Sequence, residues 1–461
     1  MIRFFRHYIS LSMLFLMLLE FLVFFLASNF SADRHGTLLV STSPAEGLYK
    51  PLLFAAILVL FSSMFDLYGW AWTTGLKSLF SRVLACFSIA GTLVFAGSNL
   101  LPAAFASGRE LLSALAISCL SVLLIRLLFI EWGKLDLFKK RVLVLGTGSR
   151  AAKIEELAAQ GKTQGLTIIG YLPMGAVHSY VPRDRVLAEG ESIPDLVERN
   201  AVDEIVVAIR ERRGGGLPVS ELLECKLRGV SVLDLPAFFE RQTGILPLEA
   251  INASWMIFSD GFSQGMARDV VKRLFDLLAS GTLLLFTLPI MLITGLLIRL
   301  ESRGPIFYSQ ERVGQYGLAF TIYKFRSMYT DAEKDGRPVW AAANDDRTTR
   351  VGRLIRRLRV DELPQTINVF LGQMSFVGPR PERPYFVNEL AAQIPYFHAR
   401  HSVKPGITGW AQVCFPYGAS VEDAMSKLQY DLYYVKNHSL FLDLMILLQT
   451  AQVVVLGKGV R

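Results

Sequence analysis

A basic run that leads into two adjacent acids, between Arg350 and Gly372, has residue types that could support phosphate chemistry. The arginines recur at helical spacing and are Arg350, Arg353, Arg356, Arg357 and Arg359. Asp361 and Glu362 follow, and Pro364 suits a first helical turn, where its missing N–H would have no partner anyway. Because a helix start favours anions, the two carboxylates and a bound phosphate would share an electropositive setting. An acidic N-cap after a solvated basic helix is the alternative that these residues leave open.

The composition indicates a membrane protein with several domains. A chain of 461 residues predicts about three domains. Hydrophobic residues make up 52% and charged residues 19%, which is more apolar than soluble proteins usually are. The net charge of +8 suits an anionic membrane surface, phosphorylated substrates or nucleic acid, and does not choose among them. The scattered cysteines form no CxxC pair, which argues against a disulfide framework or a zinc site.

The N-terminal third contains apolar runs of about the twenty residues that cross a bilayer. They lie at roughly Tyr8–Phe30, Pro51–Trp70, Leu79–Leu101 and Leu111–Trp132. They predict a transmembrane domain over residues 1–135; a cleaved signal peptide is the alternative for the first run. Glu20 and Arg126 fall in or near these runs, and we interpret each as a charge that pairs or snorkels rather than as part of a pathway.

Basic residues flank the outer ends of this transmembrane domain. Arg3 and Arg6 precede the first run, and Lys134, Lys139, Lys140 and Arg141 follow the fourth. The positive-inside rule therefore places both ends in the cytoplasm, which agrees with an even number of crossings.

Residues 136–262 change to a soluble α/β pattern. Predicted strands are Arg141–Gly146, Leu166–Leu172, Asp203–Ile209 and Val230–Leu235. A helix through Gln160 and another at Ser220–Leu227 alternate with them, and this order predicts a parallel, Rossmann-like sheet. Arg210–Gly216 has the composition of a flexible loop.

The turn after the first of these strands, Gly146-x-Gly148-x-x-Ala151, could hold a pyrophosphate at a helix N-terminus. No acidic residue ends the second strand to bind a ribose, because Tyr171, Leu172 and Pro173 occupy that position. We therefore favour a structural or regulatory domain without a redox cofactor.

Residues 263–461 begin with a fifth apolar run, near residues 272–300, that contains Pro289. Arg299 and Arg303 make its far flank as basic as its near flank, and a full crossing would place the rest of the chain outside the cell. A re-entrant helix kinked at Pro289 avoids both difficulties, whereas an ordinary transmembrane helix is the alternative. The final apolar run, Leu440–Leu456, could lie on the membrane surface or pack in a core.

Cationic motifs surround the two acids along the rest of this section. A predicted strand, Phe320–Met328, carries Lys324 and Arg326, and prolines on both sides stiffen the backbone of Arg380. A guanidinium held this way can bind phosphate oxygens with little ordering left to lose. Together with Asp361 and Glu362, these side chains predict a phosphate-handling site.

From about residue 268 to 458 the chain resembles the bacterial sugar transferase family, the monotopic phosphoglycosyl transferases. The matching motifs are Lys272-Arg-Leu-Phe-Asp276, Gly304-Pro305, Gln310-x-Arg312-x-Gly314, Lys324-Phe-Arg326-Ser-Met328, Asp361-Glu362-Leu-Pro-Gln365-x-x-Asn368, Gly378-Pro-Arg380-Pro381 and Lys404-Pro-Gly406-Ile-Thr-Gly409. The four N-terminal helices and the Rossmann-like insert resemble the organisation of the large polyprenyl-phosphate hexose-1-phosphate transferase subgroup.

The resemblance implies an enzyme that transfers a hexose-1-phosphate from a UDP-sugar to undecaprenyl or another polyprenyl phosphate and releases UMP. By match to the family dyad, Asp361 is the nucleophile that forms a covalent phosphosugar intermediate, and Glu362 is a ligand of Mg²⁺. Arg380 is expected to bind substrate phosphate, as are Lys324 and Arg326, whereas Arg353, Arg356 and Arg357 could equally face anionic lipids.

The expected setting is the bacterial inner membrane, with the catalytic domain in the cytoplasm, no nucleic-acid partner and a homodimer left open. The product would start exopolysaccharide, capsule or O-antigen assembly. Two other classes remain open at this point: a nucleotide-sugar oxidoreductase that uses the Gly146 turn, and a non-catalytic scaffold for glycan export.

Overall fold

A computed structural model describes residues 2–4, 7–9, 11–34, 44–65, 67–68, 76–100, 108–132, 139–163, 165–175, 179–188, 190–209, 217–262, 265–330, 347–415, 418 and 420–455. Its contacts group into two compact units, one formed by Met1–Cys119 with Met256–Arg461 and the other by Leu120–Trp255. The division into three domains at residues 135/136 and 262/263 stays a prediction. The predicted loop Arg210–Gly216 lies outside the described residues.

The described residues of the N-terminal part are mostly helical. After a short antiparallel pair of strands, β1 (Ile2–Phe4) and β2 (His7–Ile9), come α1 (Leu11–Arg34), α2 (Pro44–Met64), α3 (Leu76–Leu100) and α4 (Gly108–Trp132). Among the described residues, parts of α1, α3 and α4 are long and apolar enough to cross a membrane, whereas the apolar stretch of α2, Leu48–Met64, is shorter. Most of each predicted run thus lies in one of these helices, and several of the helices could span a membrane.

A buried carboxylate lies in α1. Glu20 has no exposed surface, and the hydroxyl of Tyr68 donates a hydrogen bond to its Oε2 atom at 2.6 Å. A hydrogen bond to a carboxylate within an apolar segment lowers the cost of its burial.

The predicted parallel sheet is confirmed in the unit Leu120–Trp255. Its strands are β3 (Lys140–Leu145), β4 (Leu166–Leu172), β5 (Glu204–Val207) and β6 (Ser231–Asp234), in the order β4-β3-β5-β6. The helices between and after them are α5 (Ser149–Ala159), α6 (Ile193–Arg199), α7 (Val219–Leu227) and α8 (Leu235–Thr243). β3 and β5 contribute alternate side chains to two separate cores, because successive side chains of a strand point to opposite faces.

The remaining elements carry the predicted site. They are α9 (Ala253–Phe258), α10 (Met266–Glu301), β7 (Phe307–Val313), β8 (Ala319–Phe325), α11 (Arg350–Arg357), α12 (Gln365–Leu371), β9 (Ser375–Val377), α13 (Pro384–Gln393), β10 (Gly406–Thr408), α14 (Trp410–Cys414), α15 (Val421–Asn437) and α16 (Leu440–Val455). β7 and β8 form an antiparallel hairpin, and β9 pairs in parallel with β10.

Helix α10 continues through Pro289 over 36 residues. A straight helix of this length would be about 54 Å long, well beyond a hydrocarbon core of about 30 Å. Its middle exposes large apolar side chains, with Leu285 at 70% and Phe286 at 73% exposure.

Both ends of α10 contact the same group of elements. Near its start, Asp276 Oδ1 accepts hydrogen bonds from Ser375 Oγ and Phe376 N, both at 3.1 Å. At its end, Ile298 packs in one cluster with Phe325 and Ile355. The α/β part of this unit therefore holds the helix at two separated points.

Three glycines let the segments around β9 and β10 approach closely. Gly378 N donates to Thr408 O at 2.9 Å, and Gly406 N donates to Pro379 O at 3.0 Å. A Cβ atom on Gly378 would lie 2.3 Å from Lys404 O, and one on Gly409 would lie 2.2 Å from Gly378 O. The two glycine-containing motifs therefore contact each other directly through their backbones. This contact fixes the position of the residues that follow β9.

Candidate active site

The two adjacent acids lie on a tight turn between α11 and α12. Thr349 caps the start of α11, since its side chain accepts a hydrogen bond from Gly352 N at 2.9 Å. Arg359 then adopts φ 57°, a conformation that stops the helix, and a single 3₁₀ turn, Val360–Glu362, precedes α12. The acids thus come just before a helix start, as the position of Pro364 predicts.

Glu362 is held by cations from three directions. Its Oε1 atom lies 3.0 Å from Lys324 Nζ and 3.2 Å from Arg380 Nη2, and its Oε2 atom lies 3.9 Å from Arg359 Nη1. Burial alone would favour the neutral acid, but these cations outweigh it and hold the pKa of Glu362 well below its usual range. Glu362 is therefore an anion at every physiological pH.

Asp361 has the opposite environment. Its side chain is 9% exposed, and its Oδ1 atom has no hydrogen-bond partner among the described residues. Burial and the charge of Glu362 raise the pKa of Asp361 to about 6, although Lys324 and nearby arginines oppose the shift. Two neighbouring carboxylates whose proton affinities are pushed apart are typical of catalytic pairs.

Arg380 is fixed from its backbone side. Its carbonyl accepts a hydrogen bond from Arg400 Nη2 at 2.9 Å, and Arg400 in turn forms a buried ion pair with Asp431 at 2.8 Å. The side chain of Arg380 is 41% exposed, so its guanidinium can contact Glu362 and still meet a ligand. Nothing in the sequence indicates the Arg400–Asp431 pair, because its members are 31 positions apart.

The side-chain hydrogen bonds of Arg326 are with the end of α10 and the segment after it rather than with this cluster. Its guanidinium donates to the carbonyl oxygens of Ser302 at 2.8 Å and Arg303 at 3.1 Å, and to Ser302 Oγ at 2.7 Å. Arg326 is only 6% exposed, and these hydrogen bonds connect the end of α10 to the strand hairpin. The phosphate-binding role predicted for Arg326 finds no geometric support in these contacts.

The arginines of α11 divide into two groups. Arg356 Nε donates to Ser327 Oγ at 2.8 Å, which ties it to the protein rather than to lipid. Arg353 and Arg357 are exposed, and they lie beside exposed Leu354 and Leu358. This surface combines positive charge with apolar side chains, as a membrane-facing helix does.

A buried hydrogen-bond network that the sequence does not predict supports the loop of Arg380. Val377 O accepts hydrogen bonds from Lys272 Nζ at 3.2 Å and Tyr434 O–H at 2.9 Å. Both donors also contact Asp443, at 2.5 Å and 2.7 Å. The only sequence signal is an acid within the apolar run Leu440–Leu456, and its burial favours core packing for the start of that run.

The described residues contain no group of three or more His, Cys, Asp or Glu that could hold a metal ion. One anionic oxygen is nevertheless suitable, because the contacts of Glu362 with Lys324 and Arg380 are through Oε1, whereas the contact of Oε2 with Arg359 Nη1 is longer, at 3.9 Å. Magnesium binds hard oxygens and keeps water and substrate phosphates as its other ligands, so a single protein carboxylate fits it. Asp361 Oδ1, which lacks a partner, lies on the adjacent residue.

This arrangement defines a class of protein. A carboxylate with a raised pKa sits beside a permanently anionic one among cations, in a chain with apolar helices long enough to cross a membrane. Such a site can attack an electrophilic phosphorus and stabilise the phosphate oxygens.

Comparison with known proteins assigns the family. The bacterial sugar transferase family matches residues 267–457. An "Uncharacterized sugar transferase EpsL" from Bacillus subtilis (strain 168) is 42% identical over 192 residues, which are 42% of this chain and 91% of that protein. The chain belongs to the bacterial sugar transferase family.

Two further relatives have names that state a reaction. A UDP-N-acetylgalactosamine-undecaprenyl-phosphate N-acetylgalactosaminephosphotransferase from Aeromonas hydrophila is 39% identical over 259 residues, 56% of this chain and 60% of that protein. A UDP-glucose:undecaprenyl-phosphate glucose-1-phosphate transferase from Xanthomonas campestris pv. campestris is 32% identical over 332 residues, 69% of this chain and 67% of that protein. The chain thus spans about three fifths of the length of the Aeromonas protein.

Proposed function

We propose that this protein transfers a hexose-1-phosphate from a UDP-sugar to undecaprenyl phosphate or another polyprenyl phosphate. The observation that carries the proposal is the contrast between Asp361 and Glu362. Asp361 is a buried carboxylate whose Oδ1 has no hydrogen-bond partner among the described residues, and Glu362 beside it is kept ionised by neighbouring cations. The family and the names of the two phosphotransferases support the same reaction class. The two names differ in the sugar, so the hexose stays open.

In the first step, a carboxylate oxygen of Asp361 attacks the phosphorus that carries the sugar. An oxygen–phosphorus bond to Asp361 forms, and the bond to the bridging oxygen of the diphosphate breaks. The electron pair leaves with UMP, and the sugar phosphate stays on the enzyme as an acyl phosphate. Lys324 and Arg380 lie where they can offset the negative charge of the phosphate oxygens.

In the second step, an oxygen of the polyprenyl phosphate attacks the same phosphorus. The bond between Asp361 and phosphorus breaks, so the carboxylate is regenerated and a polyprenyl diphosphosugar leaves. Neither step consumes a proton, because the nucleophile and the leaving group of each step are anionic oxygens.

We assign Glu362 as the protein ligand of a magnesium ion. A bound Mg²⁺ would neutralise charge on the diphosphate and orient it. Glu362 suits this role because its neighbours keep it ionised, and because Lys324 and Arg380 fix its position through Oε1.

We further propose that α10 is re-entrant, with both ends on the cytoplasmic side of the bacterial inner membrane, and that the N-terminal helices form a bundle in the same membrane. Asp276 and Ile298 both contact the α/β part, although a straight helix would separate them by about 33 Å. A domain held at both points is most simply placed on one side of the bilayer. This would bring Asp361 to the depth of the lipid phosphate. The site and the lipid substrate would then be held at the same membrane surface, so they would not have to meet by diffusion in three dimensions.

Replacement of Asp361 tests the reaction. Purified full-length protein with Mg²⁺ and undecaprenyl phosphate in detergent should release UMP from at least one of UDP-glucose, UDP-galactose, UDP-N-acetylglucosamine and UDP-N-acetylgalactosamine. Asp361→Asn should lower the rate by at least about a thousandfold, because an amide is not a nucleophile here. The exposed Glu389→Gln is the matched control and should keep the wild-type rate. Substantial turnover by Asp361→Asn would sink the nucleophile assignment.

The rate should also depend on pH near neutrality. Because the pKa of Asp361 is raised to about 6, protonation of the nucleophile should reduce the rate as the pH falls through 6. An Asp with an ordinary pKa would hold its activity to about pH 4. The measurement is the initial rate of UMP release between pH 5 and 8; a flat profile down to pH 5 contradicts the assigned environment.

Cysteine labelling tests the topology of α10. In a variant whose native cysteines are replaced by serine, single cysteines are placed at the exposed positions Met266 and Leu300, which lie at the two ends of the helix. Both should react with a membrane-impermeant maleimide in inverted vesicles, and neither in intact spheroplasts. Labelling of the two positions from opposite sides would show that α10 crosses the bilayer.

A further inference from the structure

Arg359 lies at the junction between α11 and the turn that carries the two acids. Its backbone has φ 57° and ψ 17°, in the left-handed region that residues other than glycine adopt rarely and at some cost. Its carbonyl accepts a hydrogen bond from Glu362 N at 3.4 Å. The unusual conformation of Arg359 therefore belongs to the geometry that places Glu362.

The side chain of Arg359 contacts the same acid. Its Nη1 atom lies 3.9 Å from Glu362 Oε2, whereas Lys324 and Arg380 contact Oε1 at 3.0 Å and 3.2 Å. The contact of Arg359 is thus the longest of the three, and its side chain is 40% exposed. The guanidinium can therefore move away from Oε2 towards solvent with little loss of packing.

The oxygen that Arg359 faces is the one that is suitable for magnesium. A guanidinium and a divalent cation are both attracted to a carboxylate, and they repel each other. The three cations around Glu362 already outnumber the two adjacent acids, so a metal ion would enter a mainly cationic group. A diphosphate changes this balance, because its oxygens can bind both a guanidinium and a metal ion.

We propose that Arg359 is the counterion of Glu362 Oε2 in the absence of ligands, and that it makes metal binding at Glu362 depend on the diphosphate of the donor. The inference rests on the proposed function, in which Glu362 is the protein ligand of magnesium. Without a diphosphate, Arg359 competes with the metal for Oε2. When a diphosphate binds, Arg359 turns to its oxygens, Oε2 becomes available, and the diphosphate and the metal bind cooperatively.

Metal binding to the full-length protein in detergent tests this inference without turnover. Mn²⁺ is the probe in place of Mg²⁺, and unbound Mn²⁺ is quantified by electron paramagnetic resonance with and without UDP, after correction for the Mn²⁺ that UDP binds in a protein-free titration. UDP should strengthen Mn²⁺ binding to the wild type by at least about tenfold. Arg359→Gln should bind Mn²⁺ alone at least about fivefold more tightly than the wild type, and UDP should then add less.

Further variants separate the charge of Arg359 from its backbone conformation. Arg359→Lys keeps the charge and should keep the weak Mn²⁺ binding of the wild type. Arg359→Asn removes the charge with a residue that tolerates the left-handed conformation, and it should behave like Arg359→Gln. Arg357→Gln removes an exposed cation two residues away, so it is the matched control and should bind Mn²⁺ like the wild type. Glu362→Gln measures the Mn²⁺ that is bound elsewhere.

The outcomes separate this inference from the proposed function. Equal Mn²⁺ binding by the wild type and Arg359→Gln overturns the inference alone, and so does an equal gain in Arg357→Gln, because any nearby charge would then suffice. Tighter binding by Arg359→Asn but not by Arg359→Gln also overturns it, since the backbone would be the cause. If Arg359→Gln does not fold, the difference between Arg359→Asn and Arg359→Lys decides. Glu362→Gln that binds Mn²⁺ as tightly as the wild type with UDP overturns the magnesium ligand of the proposed function as well.

Discussion

The ionisation of Glu362 by Lys324 and Arg380 is the interaction on which the candidate site depends. A buried carboxylate is unfavourable unless cations compensate it, and these two cations come from β8 and from the loop after β9. Their pairing joins distant parts of the chain around one acid. It also sets the environment of Asp361, whose pKa rises partly because a permanent negative charge stands next to it.

The rest of the fold maintains the positions of these cations. Gly378 and Gly406 allow two backbone segments to approach closely, which fixes the start of the loop that carries Arg380. Arg400 donates a hydrogen bond to the carbonyl of Arg380 and so holds the backbone of that loop in place. Lys272 on α10 donates to the carbonyl of Val377, so the apolar helix also supports the loop. The apolar helix α10 and the loop that carries Arg380 are therefore connected by a direct hydrogen bond.

The features that could be predicted from the sequence are those that depend on residues close together in the chain. The four strands of the parallel sheet were found because alternating strand and helix signals are local, and the placement of Asp361 before a helix followed from Pro364. Contacts between remote side chains were not predictable. Arg326 shares its strand motif with Lys324, yet it anchors the end of α10, and only the tertiary packing distinguishes the two cations. The burial of His401, whose ring nitrogens have no hydrogen-bond partner among the residues that the structure describes, was not predictable either, because sequence pattern does not show which histidine is buried.

The central claim is that Asp361 carries the sugar phosphate between the two substrates. The most direct measurement is the intact mass of the protein after incubation with Mg²⁺ and its UDP-sugar, without polyprenyl phosphate, followed by rapid acid quenching. We expect a mass increase of one hexose phosphate, located on the peptide that contains Asp361 and lost when polyprenyl phosphate is added before the quench. UMP formation that requires both substrates together, with no adduct at any time, would contradict it and indicate direct transfer.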